Sequence, residues 1–287
     1  MVSVFLVTGA SRGLGRSIVR AALDAGHDVV AGVRDPHALD DLVVPEGGTL
    51  VSVRLDVTDP AAARAAVRTA VDRFGRLDVL VNNAGYANLA SIEDVDPADF
   101  RAQVETNLFG VVTLTQAALP VMRTQGAGHI VQVSSVGGRM ATPGLGAYQT
   151  AKWAVGGFSS VLAKEVEPLG VRVTVLEPGG MRTDWAGSSM QVAPVRPEYR
   201  STVGASARLH GGTAIGASDP DLVAELVLRV VEMDQPPLRL LVGPDAFQHG
   251  TAAGRELLAR DEESEALSRS TAAADVTPEQ LDPLAHS

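Results

Sequence analysis

The 287-residue chain contains no cysteine. That excludes a disulfide framework, a thiolate metal site and a cysteine nucleophile, and no metal is expected. Lysine is nearly absent as well: Lys152 and Lys164 stand against 22 arginines. Aromatic residues make up 4%, and acids outnumber bases to give a formal net charge of −10. A nucleic-acid partner needs a basic footprint, which this balance does not supply. No apolar run approaches the ~20 residues that span a bilayer, so no membrane partner is expected. The apolar stretch 1–9 has no basic region ahead of it and runs straight into a glycine-rich turn. It therefore reads as a buried strand rather than a signal peptide, and a cytoplasmic location is the expectation.

What the sequence does have is burial potential. With 45% hydrophobic residues, disorder throughout is excluded. The length accommodates one large α/β domain or two small ones. Short apolar runs (2–7, 29–33, 50–55, 79–81, 130–133, 171–176 and 238–242) alternate with helical patterns (13–25, 60–74, 97–122, 147–167 and 220–233). Several runs are continuous in Val, Leu and Ile, as strands covered on both faces are. The alternation predicts an α/β, Rossmann-type doubly wound parallel sheet of about seven strands, with helices on both faces. Asp59-Pro60, Asp96-Pro97 and Asp219-Pro220 each place a capping acid before a proline at a helix start.

No linker divides domains, so residues 1–267 read as one domain. Within it, 184–218 is a long segment rich in Pro and Gly that reads as a substrate loop or lid. Residues 251–287 hold eight acids against three arginines, half of the net charge, and 268–287 reads as a flexible acidic tail.

The first strand ends in Thr8-Gly9-Ala10-Ser11-Arg12-Gly13-Leu14-Gly15. Alone, a glycine-rich turn is ordinary turn chemistry. At the opening of the first β-α unit it also suits a pyrophosphate held by a helix N-terminus. An NAD site of this kind usually ends its second strand in an acid, and Val33 stands there instead. Arg34 follows, and Arg12 lies in the glycine turn; two guanidinium groups suit a 2′-phosphate. NADP(H) is the expected cofactor, against the plainer reading of two solvated arginines. Asp35 allows NAD(H) as a second cofactor. Asp56-Val57, after the third strand, either meets adenine or caps the next turn. After the fourth strand, Asn82-Asn83-Ala84-Gly85 combines amides that mimic backbone groups with residues small enough to pass a ligand closely.

Downstream come Ser134-Ser135 and Tyr148-x-x-x-Lys152. Residues four apart share one helix face. An ammonium beside a phenol stabilises the phenolate and lowers its pKa, so the phenol can exchange protons near neutral pH.

These motifs, with Asn107 and Pro178-Gly179, stand in the order and spacing of the short-chain dehydrogenase/reductase family. The sequence resembles its single-domain branch over roughly residues 1–245. The resemblance implies a sheet order of 3-2-1-4-5-6-7. It makes Tyr148 the general acid/base and has Ser135 bind the substrate oxygen, with Ser134 the competitor by position. Lys152 would bind the nicotinamide ribose and depress the Tyr148 pKa. Asn107 would hold a water linking Lys152 to solvent, or simply mark a helix kink. The cofactor would meet Gly9, Ser11, Arg12, Gly13, Leu14, Gly15, Arg34, Asp56, Val57, Asn83, Ala84 and Gly85. At the nicotinamide end it would meet Tyr148, Lys152, Pro178, Gly179, Met181 and Thr183. Arg139 and Met140 lie where substrates of the family pass, and Trp185 and Met190 are further candidates for the pocket. Trp153, Val192 and Val195 also suit an apolar pocket, though Met and Trp equally serve as packing.

The expected reaction interconverts a small-molecule carbonyl and its alcohol, with a bulky, fairly hydrophobic substrate. A non-catalytic dinucleotide sensor and an epimerase or dehydratase of the same family are the alternatives. Apolar faces on the helices around 97–122 and 147–167 imply a homodimer or homotetramer.

Overall fold

A strand inside a parallel sheet must be apolar on both faces, and β1 (Val4–Thr8) is buried at all five residues. The computed structural model describes residues 2–183, 190–210 and 216–281. Six more strands run parallel to β1: β2 (Asp28–Val33), β3 (Thr49–Arg54), β4 (Val79–Asn82), β5 (Gly128–Val133), β6 (Val171–Pro178) and β7 (Arg239–Val242). The order is β3-β2-β1-β4-β5-β6-β7. Its direction reverses between β1 and β4, where Phe5 pairs with Val79 and Val7 with Val81. The carboxyl ends of strands beside such a reversal form a crevice suited to a ligand.

Helices cover both faces. α1 (Gly13–Asp24) and α7 (Pro220–Glu232) lie on one side. There Ile18, Val19, Val223 and Val227 pack on Phe5, Val7, Val29 and Leu176. α2 (Pro60–Phe74), α4 (Gly110–Gln125) and α5 (Gly146–Val166) lie on the other. There Val67, Leu114 and Leu162 pack on Val4, Leu6, Leu80 and Ile130. The period of two along β1 thus feeds two cores at once. The capping acids act as the sequence predicts. Asp59, Asp96 and Asp219 accept from the backbone N–H groups of Ala61, Ala98 and Asp221 at 2.7, 2.7 and 2.9 Å. Each such cap contributes about 1 kcal/mol.

Two regions differ from the sequence reading. The helix expected over 97–122 is three pieces: α3 (Pro97–Val104), a π-helical turn over Glu105–Phe109, and α4, which continues to Gln125. The cause is Asn107. Its Nδ2 donates to Gln103 O at 2.8 Å, so the side chain occupies the carbonyl that a regular helix would give to a backbone N–H.

The second difference is the C-terminal stretch. α6 (Val203–His210) precedes α7, and α8 (Pro244–Glu263) follows β7. Short helices α9 (Glu265–Arg269) and α10 (Pro278–Leu281) complete the described chain. α8 leaves no apolar stripe to find in the sequence, since only Ala246 and Gly250 are buried and residues 255–275 are all exposed. Among the described residues no helix is long and apolar enough to cross a membrane.

Candidate active site

The turn from β1 into α1 is shaped by close backbone approach. Gly9 has φ 63°, and a Cβ there would stand 2.8 Å from Ala84 Cα. Asn83 and Ala84 brace this turn from the end of β4. Thr8 Oγ1 accepts from both of their N–H groups at 3.0 Å, and Asn83 Nδ2 donates to Thr8 O at 3.0 Å and Gly9 O at 3.2 Å. A Cβ on Gly15 would overlap Gly9 O. Arg12 occupies the cap position of α1 in extended backbone, and its side chain caps nothing. The first-turn N–H groups of α1, from Gly13, Leu14 and Gly15, therefore have no side-chain cap, with Ser11 just ahead of them. Such groups and the helix dipole suit an anion. Thr183, after β6, reaches across to this turn: a Cβ on Gly13 would meet its Cβ at 3.5 Å.

At the end of β2, Val33 is buried and Arg34 is exposed. Asp35 is spent locally, accepting from His37 N at 3.1 Å. Arg12 and Arg34 are both exposed, and neither forms an ion pair among the described residues. Asp56 behaves as the plainer reading had it: Oδ1 accepts from Thr58 N at 3.0 Å and Thr58 Oγ1 at 2.8 Å. Those bonds, aided by the nearby Arg34 charge, hold its carboxyl below the usual range. Val57 is buried against the start of α4, where a Cβ on Gly110 would meet its Cγ2 at 2.7 Å.

β5 and α5 bring together the expected hydroxyl, phenol and ammonium. The Ser135 hydroxyl lies near enough to the Tyr148 phenol to pull its pKa down, and its Oγ accepts from Gly137 N at 3.0 Å. Ser134 points elsewhere, donating to Lys152 O at 3.2 Å. Lys152, one turn after Tyr148, lies with Nζ 5.5 Å from the phenol ring centroid and donates to Val133 O at 2.8 Å.

The expected depression of the Tyr148 pKa is not what the structure shows. Burial pushes the phenol up to about 12, against a smaller opposing pull from Ser135. Burial likewise pulls Lys152 down to about 8. Both groups have lost their water, and each loses stabilisation of its charged form.

Asn107 is fully buried beside them. Its Oδ1 accepts from Tyr86 N at 3.2 Å and its Nδ2 donates to Tyr86 O at 2.8 Å. Gly85 lies between Asn107 and Lys152: a Cβ there would stand 2.5 Å from Asn107 Oδ1 and 3.5 Å from Lys152 Nζ.

Beside the phenol sits a third apolar cluster of Ala87, Leu89, Leu145, Tyr148, Met190 and Val203, with Val195 against it. The segment from 190 onwards is tied over it by backbone bonds. Leu89 N donates to Gln191 O, and Ala193 N to Leu89 O, each at 2.8 Å. Arg196 bonds Glu93 and Asp94. Met190 is buried in this cluster, and Met140 is half-buried.

Trp153 and Val192 are instead exposed, and Trp185 lies outside the described residues. Arg139 is put to another use: Nε donates to Glu177 Oε2 at 2.7 Å. Glu177 is fully buried, and its other oxygen is held by Arg239. Sequence reasoning missed Glu177, although an acid within the apolar run that ends β6 signals a buried ion pair.

It also missed Asp245, at the start of α8, which accepts from Gly180 N at 2.7 Å. The Asp after Gly243-Pro244 marks a helix start and was the available signal. Pro178 closes β6, Gly179 N donates to Val242 O, and Met181 pairs with Ser218.

Comparison with known proteins agrees with this geometry. The short chain dehydrogenase family profile matches residues 3–192. An oxidoreductase of Botryotinia fuckeliana, BOA17, is 53% identical over 95% of this chain and 100% of its own length. The crystal structure of a short-chain dehydrogenase from Streptomyces avermitilis superposes with TM-score 0.89 at 36% identity, covering 95% of this chain and 100% of that one. Two structures at 26% identity hold dinucleotides. An alcohol dehydrogenase from Thermococcus sibiricus is complexed with 5-hydroxy-NADP (TM-score 0.70, 85% and 97% covered). A short chain dehydrogenase/reductase from Burkholderia phymatum is complexed with NAD (TM-score 0.78, 92% and 95% covered).

Proposed function

Since the chain belongs to the short-chain dehydrogenase family and is an oxidoreductase, we propose that it interconverts a ketone or aldehyde and its alcohol with NADP(H). The observation that carries this reading is the convergence of Tyr148 and Lys152, with Nζ 5.5 Å from the phenol ring centroid and one turn away on the same helix, beside the Ser135 hydroxyl.

The residues present fit a dinucleotide. The glycine turn leaves no room for a Cβ at Gly9 or Gly15, and α1 opens without a side-chain cap. Gly9, Ser11, Arg12, Gly13, Leu14 and Gly15 would hold the pyrophosphate. Asp56, Val57, Asn83, Ala84 and Gly85 would line the adenosine side, and Pro178, Gly179, Met181 and Thr183 the nicotinamide side. The nicotinamide, when bound, supplies or takes the hydride.

The chain's own groups handle the proton. Tyr148, with a pKa of about 12, is fully protonated at neutral pH. It donates to the carbonyl oxygen as charge develops there, while Ser135 supplies a second hydrogen bond to that oxygen. Lys152, poised near 8, favours the phenolate as the proton leaves and exchanges protons with solvent through the Asn107 side.

The preference for NADP(H) over NAD(H) rests on exposed Arg12 and Arg34, neither in an ion pair among the described residues, and on a β2 end at Val33 that lacks an acid, with Asp35 already engaged by His37 N. The substrate is apolar near its carbonyl. Leu89, Leu145, Met190 and Val203 share a buried apolar cluster with Tyr148 and carry no charge. The protein assembles as a homodimer or homotetramer, since Phe109, Trp153 and Val161 stand exposed around α4 and α5.

The test is NADPH consumption across a panel of apolar ketones and aldehydes, with NADH in parallel. Turnover of apolar carbonyls by NADPH supports the reading. Tight NADPH binding with no turnover of any carbonyl contradicts it.

A further inference from the structure

The 178–183 segment leaves the sheet at the end of β6 and is tied down by groups distant in sequence. Gly179 N donates to Val242 O at 3.1 Å. Gly180 O accepts from Ser218 N at 3.1 Å, and Ser218 O accepts from Arg182 N at 3.0 Å. A charged anchor from outside the segment is Asp245, in the first turn of α8, whose Oδ2 accepts from Gly180 N at 2.7 Å. A Cβ on Gly179 would overlap this carboxylate, so the glycine is what lets Asp245 reach the backbone. The far end of the segment, Thr183, touches the glycine turn at Gly13.

We propose that Asp245 is a positioning residue for the nicotinamide end of the cofactor site, acting through Gly180 on the segment that holds Met181 and Thr183. This rests on the dinucleotide reading above. Asp245 does not itself touch the reacting atoms.

Among the described residues, the Asp245 Oδ1 and the Ser218 hydroxyl are both buried with no hydrogen-bond partner. The two atoms face one space: a Cβ on Gly243, at φ 104°, would stand 3.0 Å from Asp245 Oδ1 and overlap Ser218 Oγ. A buried acceptor and a buried donor left unmade on one anchor mark a place where the fold gives up pairing. Here that place lies directly under the 178–183 segment. Its Oδ2 bond fixes the direction of the Gly180 peptide, and the next residues inherit that direction.

The test separates the two ends of the cofactor. Affinities for NADPH and for adenosine 2′,5′-bisphosphate, a probe without nicotinamide, are measured on the full chain for wild type, Asp245→Ala and Asp245→Asn. kcat and the isotope effect with 4-deuterated NADPH are measured in the same proteins.

Losing one charge-assisted hydrogen bond on the segment predicts about a tenfold fall in NADPH affinity and in kcat for Asp245→Ala. Affinity for the bisphosphate is unchanged, and the isotope effect rises as hydride transfer becomes limiting. Asp245→Asn, whose amide oxygen still accepts from Gly180 N, recovers part of both losses.

Equal losses for the two ligands with a lowered melting temperature would make Asp245 structural only, and unchanged NADPH affinity and kcat would overturn the proposal outright. If wild type binds both ligands but turns over no carbonyl, the function above fails while the affinity split still decides the role of Asp245.

Discussion

Arg139 was expected to meet the substrate, and the structure binds it to Glu177 instead, so Arg139→Ala separates the two roles. Glu177 is fully buried in β6, while the side chains of Arg139 and Arg239 are 29% and 31% exposed. Removing one partner of a buried ion pair typically costs 3–5 kcal/mol, because the other charge is left unpaired. Here Arg239 still holds one carboxylate oxygen, so the cost of Arg139→Ala is smaller, about 2 kcal/mol. For a domain of this size that lowers the melting temperature by roughly 4–8 °C. Arg239→Ala behaves alike. Removing both arginines costs more than the two single losses together, because only then does Glu177 lose every cation.

Thermal unfolding of the two single variants and the double variant, read beside KM for the carbonyl substrate, checks this. A variant Arg139→Ala with an unchanged melting temperature and a raised substrate KM would refute the reasoning. It would return Arg139 to the pocket.

His129 gives a prediction in pH. It is buried, its Nε2 meets Thr174 Oγ1 at 3.0 Å, and burial, with a smaller push from Arg172, holds its pKa near 4 against an ordinary 6.5. The unfolded chain therefore binds the extra proton first. Its contribution is complete above pH 6.5 and is lost as pH falls from 6.5 to 4, by about 3 kcal/mol. Urea unfolding at several pH values should show this acid loss and a shallower one in His129→Gln. For the cofactor, Arg34→Asp should reverse the preference from NADPH toward NADH in steady-state kinetics, and an unchanged preference removes Arg34 from the phosphate site. Light scattering should give a dimeric or tetrameric mass, which a monomer would contradict.

The sheet was legible because its strands are continuous apolar runs punctuated by Gly and Asp-Pro, and those signals are local. The pairing of Tyr148 with Lys152 was legible because residues four apart share a helix face, whereas Ser135 joined them only through the resemblance to the family. What was hidden depends on three-dimensional company. The π turn at Asn107 follows from one amide taking the Gln103 carbonyl, which no periodicity announces. The raised Tyr148 pKa follows from burial, whereas spacing alone suggested only the neighbouring ammonium. The fates of Arg139 and Asp245 were set by partners 38 and 65 residues away. α8 escaped because few of its residues face the domain.

In the proposed reaction the Tyr148 hydroxyl moves the proton. Stopped-flow measurement of NADPH oxidation in Tyr148→Phe, beside NADPH affinity by fluorescence titration, tests it most directly. Affinity within a few-fold of wild type is expected, with hydride transfer slowed by a factor on the order of 10²–10⁴. Wild-type transfer rates in the phenylalanine variant would contradict it.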